Sequence, residues 1–278
     1  MSKVDMEKFR RKAASLGRDP SSITPESLRE EFNPVHTWIE YVNRLLATPL
    51  ALLSLALFIV AYRQISKRPL VYWATVISLL IVVVNAWLGM KVVYSGLKPG
   101  IITAHLVLAL IMMILLIYVA WAGTDRPWRR VITCDCSLVR RMGAGLLILT
   151  LVEGVMGAQV RELTDELAKS HIGEARSAWT AELEGALVYL VHRSFSWLIV
   201  FGTVVFLWRA RCALEGGLRW LEKSIGALVG SLMVMGIILS QVGVLPVVQV
   251  LHVGAASLLT AALVLWLLAT SGWGAKAV

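Results

Sequence analysis

Three of the five histidines in this 278-residue chain, His105, His192 and His252, fall inside stretches oily enough to cross a membrane. An ionisable or ligating group in hydrocarbon is costly and is usually there for function. A lone intramembrane histidine can simply bond across a helix interface; three at corresponding places in an internal repeat point instead to ligation. His192 lies near the start of its apolar run, and His252 lies six residues beyond Pro246, about 9 Å down at a rise of 1.5 Å per residue. The two therefore reach the same depth and can face one another across a four-helix bundle. Two neutral imidazoles so placed suit haem iron, with the flat macrocycle between the helices. Zinc would want three or four ligands, and no cysteine or carboxylate cluster accompanies this pair. Arg193, next to one ligand and nearer solvent, would pair with a haem propionate or snorkel to the interface.

The repeat that relates these histidines is ungapped. Set over GIILSQVGVLPVVQVLH (236–252), the stretch GMKVVYSGLKPGIITAH (89–105) matches Gly89 with Gly236, Gly96 with Gly243, Pro99 with Pro246 and His105 with His252. Upstream, YVNR (41–44) lies over LVHR (190–193), so Asn43 falls on His192 and Arg44 on Arg193. An amide is a poor iron ligand. A haem in the first half would thus be held by His105 alone and keep one open face, whereas an iron with two imidazoles is saturated and suited to electron transfer. Simple degeneration of the first half is the competing explanation. Glu40, one turn before Asn43 on the same face, would relay protons or polarise an oxygen species, or else serve as an interface hydrogen-bonding residue. Arg44 carries the same two alternatives as Arg193. Glu153 lies in an apolar helix, where bonding a neighbour is a sufficient role; His36 and His171 are placed at the surface.

These residues need helices in a membrane to position them. The chain is 58% hydrophobic and 16% charged, with a mean hydropathy of +0.72, which excludes an ordinary soluble domain. The expected fold is all-α and polytopic, with spans at about 38–62, 70–94, 100–122, 142–160, 186–208, 224–243 and 246–270. The net charge of +9 comes from Lys and Arg in short links between apolar runs, a pattern that sets orientation rather than one that binds nucleic acid. Arg63, Lys67 and Arg68, then Arg126, Arg129, Arg130, Arg140 and Arg141, then Arg209, Arg211, Arg219 and Lys223 fall on one side, assigned to the cytoplasm. The acidic 161–184 link falls on the other. Cys134, Cys136 and Cys212 map to the cytoplasmic side, where thiols stay reduced. The polar first 35 residues lack the apolar core of a cleavable signal. The expected organisation is a polar segment on the outer side (1–35), a first-half bundle (36–122), a cytoplasmic loop (123–141), a second-half bundle (142–270) and a cytoplasmic tail (271–278).

The stretches FNPVHTWIEYVNRLLA, GMKVVYSGLKPGIITAHLVLAL, EGVMGAQVRE, VYLVHRSFSW and QVLHVGAASLL, in this order and in two halves, resemble the haem A synthase family over about residues 33–270. Members of that family are membrane enzymes that convert haem O to haem A for cytochrome oxidase. The resemblance implies eight helices in two pseudo-symmetric bundles, with haem b bound by His192 and His252 and substrate haem facing His105. It matches Glu40 to the carboxylate before the family's first-half histidine. The implied reaction is stepwise oxidation of a ring methyl to a formyl, using oxygen species and electrons from a donor. Implied partners are membrane lipid, haem O, that electron donor, haem O synthase or oxidase subunits, and a second copy of the chain, in the cell inner (cytoplasmic) membrane. Two departures stand out. The family's E-x-x-H-R reads Glu40-Tyr-Val-Asn43-Arg44, with asparagine as a variant of the ligand position. The opening helix and its cysteine-bearing loop are also not found, and LREEFNP resembles the end of that loop, implying truncation or a separately supplied helix. The alternatives are a non-enzymatic b-type cytochrome and a haem-delivering assembly factor.

Overall fold

The computed structural model describes residues 3–15, 19–26, 34–94, 100–125, 127–131, 137–171, 174–243 and 245–271. Among them the long elements are α2 (Pro34–Tyr62), α3 (Pro69–Tyr94), α4 (Ile101–Ala122), α5 (Ser137–Ser170), α7 (Leu187–Ala213), α8 (Trp220–Gln241) and α9 (Pro246–Ala269), with α1 (Lys3–Ser15) and α6 (Thr180–Gly185) short. The seven long helices each hold an apolar window of 22 to 32 residues, at least about 33 Å of helix against a hydrocarbon core of about 30 Å. The expectation of seven spans and an all-α membrane fold is met. Proline opens α2, α3 and α9, where its missing N–H is no loss and its fixed φ suits a first turn. Gly100 enters α4 at a φ of 84°, a conformation that a side chain would resist.

The helices form two groups. In the second half α5, α7, α8 and α9 close a ring, each packed on the next, so that α7 and α9 stand on a diagonal. In the first half α2 packs on α3 and α3 on α4, while α4 leans on α9 and α5. The diagonal pair is here α2 and α4, and among the described residues no helix stands where α5 stands in the other ring. In consequence residues 41–53 of α2 are exposed at every position.

Packing is densest where α7 and α8 meet the far half of α9. Phe206, Ile225 and Trp266 are fully buried there and Leu259 and Leu263 nearly so, with the Phe206 and Trp266 rings edge to face at 4.9 Å. Gly143 of α5 lets Trp266 in, because a methyl at that position would stand 2.7 Å from the indole Cζ3. The same end holds a buried ion pair. Glu222, 0% exposed, accepts from Arg130 Nε at 3.2 Å, Trp266 Nε1 at 3.1 Å and the Arg219 backbone N–H at 2.8 Å. Arg130 also donates to the carbonyls of Glu215 and Gly217. A charge pair taken from solvent is tolerable only when its remaining donors and lone pairs are met in this way. Arg130, grouped by sequence with the basic links, is thus a buried tie between the link after α4 and the ends of α8 and α9.

The second difference is α5. The sequence places a span at 142–160 followed by an acidic link, whereas the helix runs from 137 to 170. Arg161 and Asp165 pair one turn apart, and Leu163 and Leu167 meet Trp179, Leu183 and Tyr189 in a small second core. The link is therefore a packed cap, with α6 inside it.

Candidate functional site

His105, His192 and His252 are the fifth, sixth and seventh residues of α4, α7 and α9, helices that all start from the same end of the bundle. Each ring has its Cε1 turned to a glycine of the neighbouring helix. A methyl at Gly89 of α3 would stand 3.2 Å from His105 Cε1, one at Gly157 of α5 3.3 Å from His192 Cε1, and one at Gly236 of α8 3.8 Å from His252 Cε1. Gly89 and Gly236 are the glycines matched by the repeat, each sixteen residues before its histidine. Their absent side chains are the space the imidazoles occupy.

The Nδ1 atoms differ. His105 Nδ1 lies 3.1 Å from the Asn85 carbonyl oxygen, an acceptor that makes it the N–H donor and leaves the lone pair on Nε2. His192 Nδ1 lies 3.1 Å from Glu153 Oε1, off the line of an aligned hydrogen bond and so counted as a close charge contact. That carboxylate oxygen also accepts from Ser196 Oγ at 2.5 Å. His252 Nδ1 is buried and unpartnered among the described residues. His192 and His252 are carried by α7 and α9, the diagonal helices of the four-helix ring. No Nε2 of the three is bonded to a described group, which leaves each as a potential ligand atom. Among the described residues no three of His, Cys, Asp and Glu converge on a metal-sized point; the chemistry of this donor set is two imidazoles across a bundle, which fits an iron porphyrin.

The other predicted site residues are distributed as follows. Asn43 and Arg44 are exposed on α2, and Arg193 is exposed next to His192 on α7. Glu40 lies in α2, one turn before Asn43, its side chain and that of His36 outside the described residues. His171 is a cap residue, 3.7 Å from Glu182. Cys212 is an exposed free thiol, and Cys134 and Cys136 lie outside the described residues.

Residues 17–264 match the COX15-CtaA family, cytochrome oxidase assembly proteins. The chain belongs to this family. Over 90 residues it is 28% identical to proteins named heme A synthase from Bacillus cereus (strain 03BB102), Bacillus anthracis (strain A0248) and Bacillus thuringiensis subsp. konkukian (strain 97-27). Those stretches cover 32% of this chain and 29% of each relative, so the matched part is under a third of the relatives' length.

One residue of this family member has a role that the sequence did not show. Glu162 was counted with the acidic link, yet it is buried at the interface of the two groups. Its Oε1 accepts from the Gly100 N–H at 3.0 Å, the Thr103 N–H at 3.1 Å and Thr103 Oγ1 at 2.9 Å. A carboxylate from α5 thus caps the first turn of α4, where unsatisfied N–H groups and the helix dipole favour negative charge, two residues before His105. The signal available in the sequence was weak: an acid directly after an arginine at the end of an apolar run.

Proposed function

We propose that this chain is a haem A synthase, oxidising the ring methyl of haem O stepwise to the formyl of haem A for cytochrome oxidase. The observation that carries the reading is the pair His192 and His252 on the diagonal of a closed four-helix ring, with His105 on the corresponding diagonal helix of the other group. His192 and His252 would hold haem b, and Arg193 would meet a propionate. Haem bound by two imidazoles supplies one-electron transfer. His105, with its Nδ1 tied to the Asn85 carbonyl, presents Nε2 toward substrate haem O. Asn43, across from it by the repeat, gives no strong ligand and leaves one face open to an oxygen species; Glu40 holds or moves a proton there, and Arg44 meets a propionate. Electrons come from an external donor in the membrane, and the basic end of the bundle faces the cytoplasm.

Asn43, an amide at the position that the repeat matches to His192, favours one other reading, a non-enzymatic b-type cytochrome. Pigment extraction from cells that make haem O and express this chain separates the two. Formyl-bearing haem above the level of cells lacking the chain is the expected result; unchanged haem O beside haem b refutes the enzyme.

A further inference from the structure

The three imidazole seats share one construction and differ in one component. In α3, Asn85 and Gly89 are four residues apart, and in α5, Glu153 and Gly157 are four apart, so each pair lies on a single helix face. The face brings an oxygen to 3.1 Å from Nδ1 and leaves an empty space at Cε1, so that Nε2 is the remaining nitrogen. For His105 that oxygen is a neutral backbone carbonyl that accepts from Nδ1, and for His192 it is a side-chain carboxylate in charge contact, outside hydrogen-bond alignment. For His252, seated on Gly236, there is no acceptor among the described residues. Glu153 has no described cationic partner: its Oε1 is shared by Ser196 and His192, and its Oε2 is buried without a bond.

We infer that Glu153 is a positioning residue that fixes the His192 tautomer and lowers the reduction potential of the haem held by His192 and His252. The inference rests on the haem-binding reading given above. A carboxylate charge beside Nδ1 favours the proton on that nitrogen and raises the basicity of the opposite one, and a more basic ligand stabilises the oxidised iron. The two axial ligands are then unequal, His192 the stronger donor and His252 the weaker.

The test is a redox titration of the low-spin haem in purified full-length protein, read optically. Glu153→Gln keeps the shape and an acceptor oxygen but removes the charge, so the haem stays low-spin with a higher midpoint potential. Glu153→Leu removes the acceptor as well, raises the potential further and loosens haem retention. A low-spin haem with the wild-type potential in Glu153→Gln overturns the inference. Should Glu153→Gln fail to fold, Ser196→Ala decides: losing the 2.5 Å bond leaves more carboxylate charge for His192, so the potential falls, and the absence of a fall overturns the inference. Wild-type protein without any low-spin haem would instead refute the haem reading, which keeps the two failures apart.

Discussion

Adding one methyl at each of two glycines separates ring placement from every other effect of the substitution. Gly157→Ala puts a carbon 3.3 Å from His192 Cε1, and Gly236→Ala puts one 3.8 Å from His252 Cε1. Carbon pairs are most favourable at about 3.5–4.0 Å, so the second substitution adds an ordinary contact while the first demands that the ring retreat by a few tenths of an ångström. Replacing glycine by alanine inside a helix adds about 1 kcal/mol of helix stability, and both variants gain it. Forcing a methyl into a filled site costs about 1–3 kcal/mol, and only Gly157→Ala bears that cost. The retreat moves His192 Nε2, so the penalty falls on haem binding and the helix gain falls on thermal stability. Haem transfer to excess apomyoglobin from detergent-solubilised protein measures the first; a melting curve of the haem-free protein measures the second. A penalty of about 1–3 kcal/mol corresponds to haem held roughly 5- to 160-fold more weakly in Gly157→Ala, with Gly236→Ala within about twofold of wild type. Equal retention in the two variants, or weaker retention in Gly236→Ala, refutes the seat.

Glu222→Gln strands the buried Arg130 guanidinium without its counter-charge and is expected to cost about 3–5 kcal/mol of stability, seen as a lowered melting temperature; adding Arg130→Met to that variant recovers part of the loss. Glu162→Ala removes three hydrogen bonds from the first turn of α4 and costs about 2 kcal/mol. Because that turn carries His105, its conversion of haem O falls while the low-spin spectrum is unchanged; an equal effect on both means that Glu162 serves only global stability. His105→Ala abolishes formyl-haem formation in extracted pigment and leaves the low-spin signal intact, and retained conversion refutes the division of labour between the halves.

The spans and the imidazole positions were legible because they depend on local composition and on a repeat. Runs of some twenty apolar residues identify helices without knowledge of their partners, and Gly89, Gly236, His105 and His252 kept one spacing in both halves. The alignment even named two of the glycine seats, although not what they seat. What escaped depended on contacts between residues far apart in sequence. Arg130 and Glu222 are 92 residues apart, and each alone reads as a solvated charge. Glu162 finds its donors 59 to 62 residues away, so nothing nearby marks it as buried. The long α5 was cut short because Glu162, Asp165 and Glu166 look like a link; the helix persists because Leu163 and Leu167 are covered by Trp179, Leu183 and Tyr189. Glu153 looked like a neighbour-bonding residue, and it does bond Ser196; its approach to His192 needed the packing of α5 on α7.

The pairing of His192 with His252 across the second-half ring is tested most directly by the optical spectrum of reduced and oxidised purified protein beside His192→Ala and His252→Ala. The wild-type protein is expected to show low-spin haem b, and each single variant to lose that signal, because one imidazole alone cannot saturate the iron. A low-spin spectrum unaltered in either variant, or wild-type protein that holds no haem, would contradict the pairing.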